Sequence, residues 1–288
     1  MCRDNPETVF NGLGTYNREI TKALEKRGHN VHWFIGGTDS DTLKLGADIP
    51  LGFDLVYCVS LPYGARVELP MVAKSNSPLK EENRYNSGFK KVKGFIGQYY
   101  ELATAKKAKA IISVSQTTHD ILLDEYGIDS TVIPDGVDLE VFHPDKDEGR
   151  PLMAVPRRRE RRKNLKAIEE AELYTAGRVE WVHEPQKADI FFAPSFSEGF
   201  DISLLEAMAS GCACLASDIP AHRELIREGV DGYLFQTEEA MKIGLDLLID
   251  SKELRAMLGG YARKKAEQYP WSRSAEMLEK VFEGALSN

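Results

Sequence analysis

Short apolar runs alternate along most of the chain with longer segments in which apolar residues recur every three or four positions. In the first half, runs that suit buried strands lie at residues 31–35, 55–60, 71–74 and 111–115, and helical patterns lie at 13–27, 95–107 and 117–126. A second set of alternating runs begins at Leu152. Strands that alternate with helices are typical of parallel sheets covered by helices, so the pattern predicts an α/β protein.

A change of composition separates the two sets. Residues 132–138 resemble a strand that ends in a turn, and residues 143–151 are rich in Pro, Gly and charged residues, as linkers are. We therefore predict two domains, 1–147 and 148–268. Ligands of such folds bind beyond the carboxyl ends of the strands, and paired domains place them in the cleft between.

Composition and charge exclude several functional classes. The chain has 288 residues and a formal net charge of -8, which argues against nucleic acid as a partner. No apolar run approaches the roughly 18 residues needed to cross a bilayer, and no apolar leader opens the chain, so we expect a cytoplasmic protein.

Cys212 and Cys214 lie in an apolar run that resembles a buried strand, and nothing nearby completes a four-ligand site. No metal is expected.

The stretch from Ala188 to Gly211 carries the most specific chemistry. A strand-like run, 188–193, leads through a Ser/Gly turn into a helical pattern, with Glu198 in the turn and Glu206 eight positions later. Such a turn directs backbone N–H groups and the positive end of a helix beyond the strand, where a phosphate is favoured. Glu206 has apolar neighbours in sequence and should have a partner if buried. Gly turns before helices and glutamates on solvated helix faces are common, so spacing alone leaves a purely structural interpretation open.

Together with three other landmarks, this block resembles the family 4 glycosyltransferases, whose architecture is called GT-B. The landmarks are the Gly12–Gly14 loop with the helix after it, the turn at 132–144, and the segments 216–218, 224–226 and 229–235. The resemblance implies two Rossmann-like domains that face each other across a cleft. It also implies a C-terminal helix over 269–288, starting near Trp271, that crosses back to the first domain.

The resemblance assigns the donor half of a site. Glu198 and Glu206 match the two glutamates of the family's E-x7-E motif, the first near the transferred sugar and the second accepting hydrogen bonds from the donor's ribose. Arg158 and Lys163 match an Arg–Lys pair that neutralises the departing diphosphate without a metal. Glu198, Arg158 and Lys163 are thus the expected catalytic residues. Further donor contacts are expected from Gly199, Phe200, Asp201, Ser203, Gly12 and Gly14.

The basic run around Lys163 has two other interpretations. We expect Arg161 and Arg162 to lie on a solvated face, as charge runs usually do. Contact with anionic lipid headgroups is the alternative, and it suits a membrane-lipid acceptor.

The sequence departs from the family pattern on the acceptor side. The family usually has a His after a strand of the first domain, and residues 71–78 have none. Ser75 or Asn76 takes that place, and we group Tyr16 with them as expected acceptor-side residues. The chain also starts almost at the first Gly loop, so most of the family's first strand is unmatched.

The donor side departs from the pattern as well. Asp201 stands where the family commonly has Gly, and its carboxylate would repel a phosphate unless it turns to a sugar hydroxyl. Only 40 positions separate Arg158 from Glu198, fewer than the family norm, so no base selectivity is implied.

The function that the resemblance implies is a retaining, metal-independent transfer of a hexosyl group from a nucleotide-diphosphate sugar to an acceptor hydroxyl. The acceptor would be a sugar, a lipid-linked molecule or a small molecule, and peripheral membrane contact is compatible with a lipid. No cofactor is expected. The alternative is a catalytically weak or inactive relative that binds a nucleotide-sugar as a partner subunit. An epimerase that acts on the sugar nucleotide is less favoured, because it would need more acid and base residues in the cleft than Glu198 alone.

Overall fold

The computed structural model describes residues 12–32, 52–59, 67–78, 80, 83–84, 88–144, 151–156 and 161–287. By packing, the chain divides into two compact units. The first comprises Met1–Gly136 and Trp271–Asn288, and the second comprises Val137–Pro270. Within the described ranges, no helix combines the length and the apolar character needed to cross a membrane.

The strands and helices alternate along the chain, as the hydrophobic pattern predicts. The strands are β1 Val56–Cys58, β2 Met71–Ser75, β3 Ala110–Ser113, β4 Thr131–Val132, β5 Leu152–Ala154, β6 Glu180–Val182, β7 Ile190–Ala193, β8 Ala213–Ser217 and β9 Tyr233–Phe235. The helices are α1 Gly12–Glu25, α2 Phe89–Lys107, α3 Gln116–Tyr126, α4 Leu165–Tyr174, α5 Ile202–Ala209, α6 Pro220–Leu225, α7 Glu238–Asp250, α8 Lys252–Ala266 and α9 Trp271–Ser287.

The first unit contains a four-stranded parallel sheet in the order β1-β2-β3-β4. Its core is formed by apolar side chains of β1, β2, β3 and α3. Helix α3 begins where the Ser115 side chain accepts a hydrogen bond from the Thr118 amide, and it ends at Gly127 in the left-handed conformation. Helix α9 belongs to this unit: its Trp271 packs edge-on against Tyr16 of α1, with ring centroids 5.7 Å apart.

The second unit contains a five-stranded parallel sheet in the order β6-β5-β7-β8-β9. Strands β7 and β8 lie in the middle of it and are almost completely buried, as strands covered on both faces should be. Cys212 and Cys214 are fully buried, and the Cys212 thiol donates to the carbonyl oxygens of Pro185 and Ala188. They are core residues, as their apolar surroundings in the sequence indicated.

The structure departs from the predicted boundaries in three places. Helix α2 begins at Phe89, before the predicted start at residue 95. Of the strand predicted at 31–35, residues 31–32 have no regular structure, and the rest lie outside the described residues. The division between units falls after Gly136, earlier than the predicted boundary at 147. Of the linker-like residues 143–151, residues 145–150 lie outside the described residues. The second unit starts at Val137, whose amide donates to Tyr269 O at 2.8 Å.

Two adjacent glycines of α8 predict opposite effects of the same substitution. A Cβ on Gly259 would lie 2.0 Å from Gly211 O, whereas a Cβ on Gly260 would meet nothing within 4 Å. Because Ala stabilises a helix by about 1 kcal/mol over Gly, Gly260→Ala should raise the free energy of unfolding by up to that amount. Gly259→Ala should lower it by roughly 1–3 kcal/mol through overpacking. Urea denaturation of both variants measures this, and equal effects would mean that α8 does not pack closely on the turn at Gly211.

Candidate functional site

Three loops at the carboxyl edge of the second sheet bring charged side chains together. A 3-10 turn at Arg161–Lys163 follows β5, the turn before α5 follows β7, and α6 follows β8. Parallel strands present their carboxyl ends at one edge, so loops that are distant in sequence become neighbours there. The residues that meet are Arg162, Lys163, Glu198, Asp201 and His222.

Lys163 is the centre of this group. Its Nζ binds Glu198 Oε1 and lies 3.4 Å from each carboxylate oxygen of Asp201. Arg162 binds the other Glu198 oxygen, Oε2, and Ser195 Oγ donates to Oε1 at 2.8 Å. The side chains of Lys163 and Glu198 are only 6% and 5% exposed. A buried ammonium therefore has two carboxylate partners, an arrangement that burial requires of charged groups.

Asp201 is held by its backbone conformation as well as by its charge. It adopts a left-handed conformation, with φ at 72°, and its side chain caps α5 by accepting from the Leu204 amide at 3.3 Å. A positive φ favours glycine, which is the residue that the family commonly has here. The Asp side chain offsets the strain by hydrogen-bonding the local backbone. Its carboxylate is 1% exposed and lies 3.2 Å from His222 Nε2, and its contact with a donor stays a prediction.

Electrostatics keep both members of the Lys163–Asp201 pair charged. Burial alone would raise the pKa of the Asp201 carboxyl, but Lys163 and His222 hold it well below its usual range. Burial would likewise lower the pKa of the Lys163 ammonium, yet Asp201 and Glu198 raise it. The opposite charges outweigh desolvation in both cases.

The other expected donor residues lie near this group or outside the described residues. Glu206 is half-buried on α5, and Ser203 is half-buried in its first turn. Phe200 is buried, with its ring centroid 6.0 Å from that of Tyr269. Gly199 precedes it in the turn, half-buried. Arg158 lies outside the described residues.

Two members of the charged group were not predicted. Arg162, expected on a solvated face, instead binds Glu198. His222 is fully buried beside Asp201 and carried no sequence signal, because its partner is 21 positions away on another loop. The one clue in the sequence was Asp201, because an acidic residue at a position where the family commonly has Gly needs a partner.

The expected residues of the first unit lie around a second buried pair. Lys74 Nζ lies 2.5 Å from Asp135 Oδ1 and 3.2 Å from the centroid of the Tyr16 ring. The Tyr16 hydroxyl is bound to that of Tyr57 at 2.6 Å. Burial lowers the pKa of Lys74 and raises that of Asp135, while the pairing opposes both shifts. The lysine within the apolar run 71–74 was the missed signal, because a buried lysine must have a partner.

The glycines lie on α1, and the acceptor-side residues Ser75 and Asn76 lie at the carboxyl end of β2. Gly12 and Gly14 lie within the first turn of α1, and not in a loop before it. Ser75 is buried, and among the described residues its hydroxyl has no hydrogen-bond partner. Asn76 is half-buried and donates to Val59 O at 2.7 Å. Tyr16 is 2% exposed, so its contact with an acceptor stays a prediction.

Comparison with known proteins identifies the chain's family. The model of Glycosyltransferase Family 4 matches residues 43–141, and that of Glycosyl transferases group 1 matches residues 157–265. The chain belongs to the family 4 glycosyltransferases. No cluster of three or more His, Cys, Asp or Glu side chains that could hold a metal occurs in the described part of this family member.

Curated relatives match this glycosyltransferase family member over part of their length. N,N'-diacetylbacillosaminyl-diphospho-undecaprenol alpha-1,3-N-acetylgalactosaminyltransferase of Campylobacter jejuni is 33% identical over 117 residues, which are 40% of this chain and 31% of the relative. Phosphatidyl-myo-inositol mannosyltransferase of Mycolicibacterium smegmatis is 34% identical over 101 residues, 34% of this chain and 26% of the relative. The match thus spans about a third of each relative or less.

Solved structures confirm the GT-B fold class. Sucrose-phosphate synthase from Thermosynechococcus elongatus has a TM-score of 0.78 at 15% identity, covering 96% of this chain and 94% of that one. Anabaena HepE in complex with UDP-glucose has a TM-score of 0.72 at 14% identity, covering 98% of both chains. At these identities the likeness concerns the fold alone.

The depressed pKa of Asp201 predicts a pH-dependent effect of Asp201→Asn. Asn keeps the cap on α5 but removes a carboxylate partner of the buried Lys163 ammonium, so the free energy of unfolding at pH 7 should fall by about 3 kcal/mol. A depressed folded-state pKa contributes stability above the unfolded pKa of about 3.9, and this stability is lost as pH falls through the folded value. The difference between wild type and variant should therefore be constant from pH 7 to 5 and shrink below about pH 4.

Urea denaturation at each pH measures this difference. Asp250→Asn is the matched control, since Asp250 is 71% exposed and pairs with Arg178 at the surface. It should change stability by less than about 0.5 kcal/mol. A difference for Asp201→Asn that stays constant down to pH 3 would mean that Asp201 is not ionised in the folded chain.

Proposed function

We propose that the chain transfers a hexosyl group from a nucleotide-diphosphate sugar to an acceptor hydroxyl, with retention and without a metal. The observation that carries this proposal is the pairing of Lys163 with Glu198 at the carboxyl edge of the second sheet, beside the N-terminus of α5. A buried cation next to helix N–H groups suits a diphosphate, and the neighbouring carboxylate suits sugar hydroxyls. Family membership supplies the reaction class.

In the proposed reaction, the bond between the sugar's anomeric carbon and the diphosphate oxygen breaks as the bond to the acceptor oxygen forms on the same face. The acceptor's proton passes to the departing diphosphate oxygen. Lys163 and Arg158 neutralise the negative charge that develops there, and Glu206 holds the ribose. The protein therefore contributes mainly positioning and electrostatic stabilisation.

Exchange of partners at Lys163 is part of the proposal. Its ammonium has two carboxylate partners, and one of them, Glu198, is also bound to Arg162. A diphosphate that reaches Lys163 replaces Glu198, while Asp201 stays bound to His222. Glu198 then keeps Arg162 as its partner, and its other oxygen, Oε1, becomes available to a sugar hydroxyl. Because the diphosphate must displace a buried carboxylate, donor binding includes the free energy of breaking that contact.

The acceptor is proposed by class. Two relatives are named for a diphospho-undecaprenol substrate and for phosphatidyl-myo-inositol. We therefore favour a lipid-linked acceptor over a free sugar or small molecule. No cofactor is part of the proposal, since the nucleotide-sugar is a substrate.

A second function is favoured by one observation on the acceptor side. Asn76, which with Ser75 is one of the two candidates for the place of the family's His, has its amide bound to Val59 O. A chain without that imidazole could bind a nucleotide-sugar and serve as a partner subunit without turnover. Product formation from a panel of UDP-, GDP-, ADP- and dTDP-sugars separates the two functions. A donor that raises the melting temperature but yields neither transfer nor hydrolysis product would favour the subunit.

Two substitutions should separate binding from transfer. Glu206→Ala removes a charged acceptor of ribose hydroxyls and should weaken binding of the matching nucleoside diphosphate by roughly 10–100-fold. Lys163→Ala removes the cation at the leaving group and should lower kcat by about 100–1,000-fold, with a smaller effect on donor affinity. Calorimetry and initial rates measure the two effects.

Exposed residues of α8 provide the controls. Glu253→Ala and Lys264→Ala remove the same charges from solvated positions and should leave affinity and rate unchanged within about twofold. Unchanged nucleotide affinity in both Glu206→Ala and Lys163→Ala would overturn the assigned roles.

A further inference from the structure

Helix α2 buries two polar side chains and exposes a row of large apolar ones. Glu101 is 1% exposed and Thr104 is fully buried, whereas Val92, Phe95, Ile96 and Tyr99 are 55%, 57%, 56% and 70% exposed. A surface helix of a globular protein normally shows the opposite distribution, since its apolar stripe covers the core. The exposed stripe of α2 therefore needs an explanation other than folding.

The four exposed residues form one continuous stripe. They are spaced at i, i+3, i+4 and i+7, and at about 100° per residue these positions fall within an arc of roughly 100°. This spacing is typical of a helix face that contacts a membrane or another protein. We call this face, Val92, Phe95, Ile96 and Tyr99, the α2 stripe.

The charge of α2 is opposite to that of the whole chain. The helix sequence contains five lysines and one acidic residue, Glu101, which is buried. Lys91 in the first turn and Lys106 and Lys107 in the last turn are exposed at the two ends of the α2 stripe. The chain as a whole carries a formal charge of -8. The lysines are thus concentrated beside the exposed apolar residues.

We propose that the α2 stripe docks on the surface of an anionic lipid bilayer. Its apolar side chains would enter the boundary between headgroups and acyl chains, where the tyrosine ring is also favoured. The lysines would contact lipid phosphates, each contributing roughly a fivefold gain in binding near an anionic surface. This inference goes beyond the proposed transfer and holds for an active transferase and an inactive subunit alike.

Charge argues against a second copy of the chain as the occupant. A two-fold symmetric contact would place each lysine-bearing face against itself, and like charges across an interface are repulsive. An anionic bilayer complements the same face.

Helix α7 offers a matched comparison within the same chain. Ile243 and Leu247 are 61% and 46% exposed and lie one turn apart. Their helix contains four acidic residues and one lysine, so an anionic surface would repel it. Exposed apolar residues alone do not therefore predict membrane binding; their combination with lysines does.

Co-sedimentation with lipid vesicles tests the proposal on the full chain. Vesicles of phosphatidylcholine and phosphatidylglycerol in equal amounts should bind the wild type, with binding reduced by high salt, and pure phosphatidylcholine should bind it at least tenfold more weakly. Phe95→Ser/Ile96→Ser should weaken binding to the mixed vesicles at least tenfold. Lys91→Gln/Lys106→Gln/Lys107→Gln should do the same and lose most of the salt dependence. Ile243→Ser/Leu247→Ser should stay within twofold of the wild type.

Melting temperature, sedimentation velocity and nucleotide affinity of the same samples identify the occupant. The proposal expects all three to be unchanged by Phe95→Ser/Ile96→Ser. A lowered melting temperature would mean that another part of the chain covers the α2 stripe, and a lost dimer would mean a second copy. Either result overturns the proposal. So does an equal loss of vesicle binding in Ile243→Ser/Leu247→Ser, or a wild type that does not bind the mixed vesicles. If the wild type binds no nucleotide, that result counts against the proposed transfer and does not affect the proposed membrane docking.

Discussion

The arrangement of the second unit's carboxyl edge depends on the buried ammonium group of Lys163. A charge removed from water must be paired closely, and the partners of Lys163 come from the turn that leads into α5. Because Asp201 is also the cap of α5 and the partner of His222, the same contact fixes where α5 begins and how α6 lies against it. Loss of that charge would affect three loops together.

The first unit contains a buried lysine of a different kind. Lys74 has one carboxylate partner, Asp135, and the Tyr16 ring lies against its ammonium. Lys163 instead has two carboxylate partners, which Arg162 and His222 also contact. The enclosed Lys74–Asp135 pair favours a structural role, because an incoming anion would have to displace Asp135 from the ammonium. An ammonium with two carboxylates can exchange one of them, as the proposed donor binding requires.

Helix α2 and helix α7 illustrate how charge changes the meaning of exposed apolar surface. Both carry large apolar residues in contact with solvent. Lysines accompany those of α2, and acidic residues accompany those of α7. The apolar contribution to binding is non-directional, so the neighbouring charges select the partner. The inward orientation of Glu101 and Thr104 is what makes the outward face of α2 apolar.

The sequence by itself determined the α/β class, the family and the spacing of Glu198 and Glu206, because these depend on local periodicity and on residues close together in the chain. It also indicated that Cys212 and Cys214 are core residues. Only the tertiary structure decided that Arg162 binds Glu198, that Asp201 turns inward to His222, and that Lys74 pairs with Asp135. These contacts join residues 21 to 61 positions apart. The exposure of the apolar face of α2 could not be predicted from the sequence for the same reason. Periodicity reveals an apolar stripe, but packing decides which face of the helix is covered.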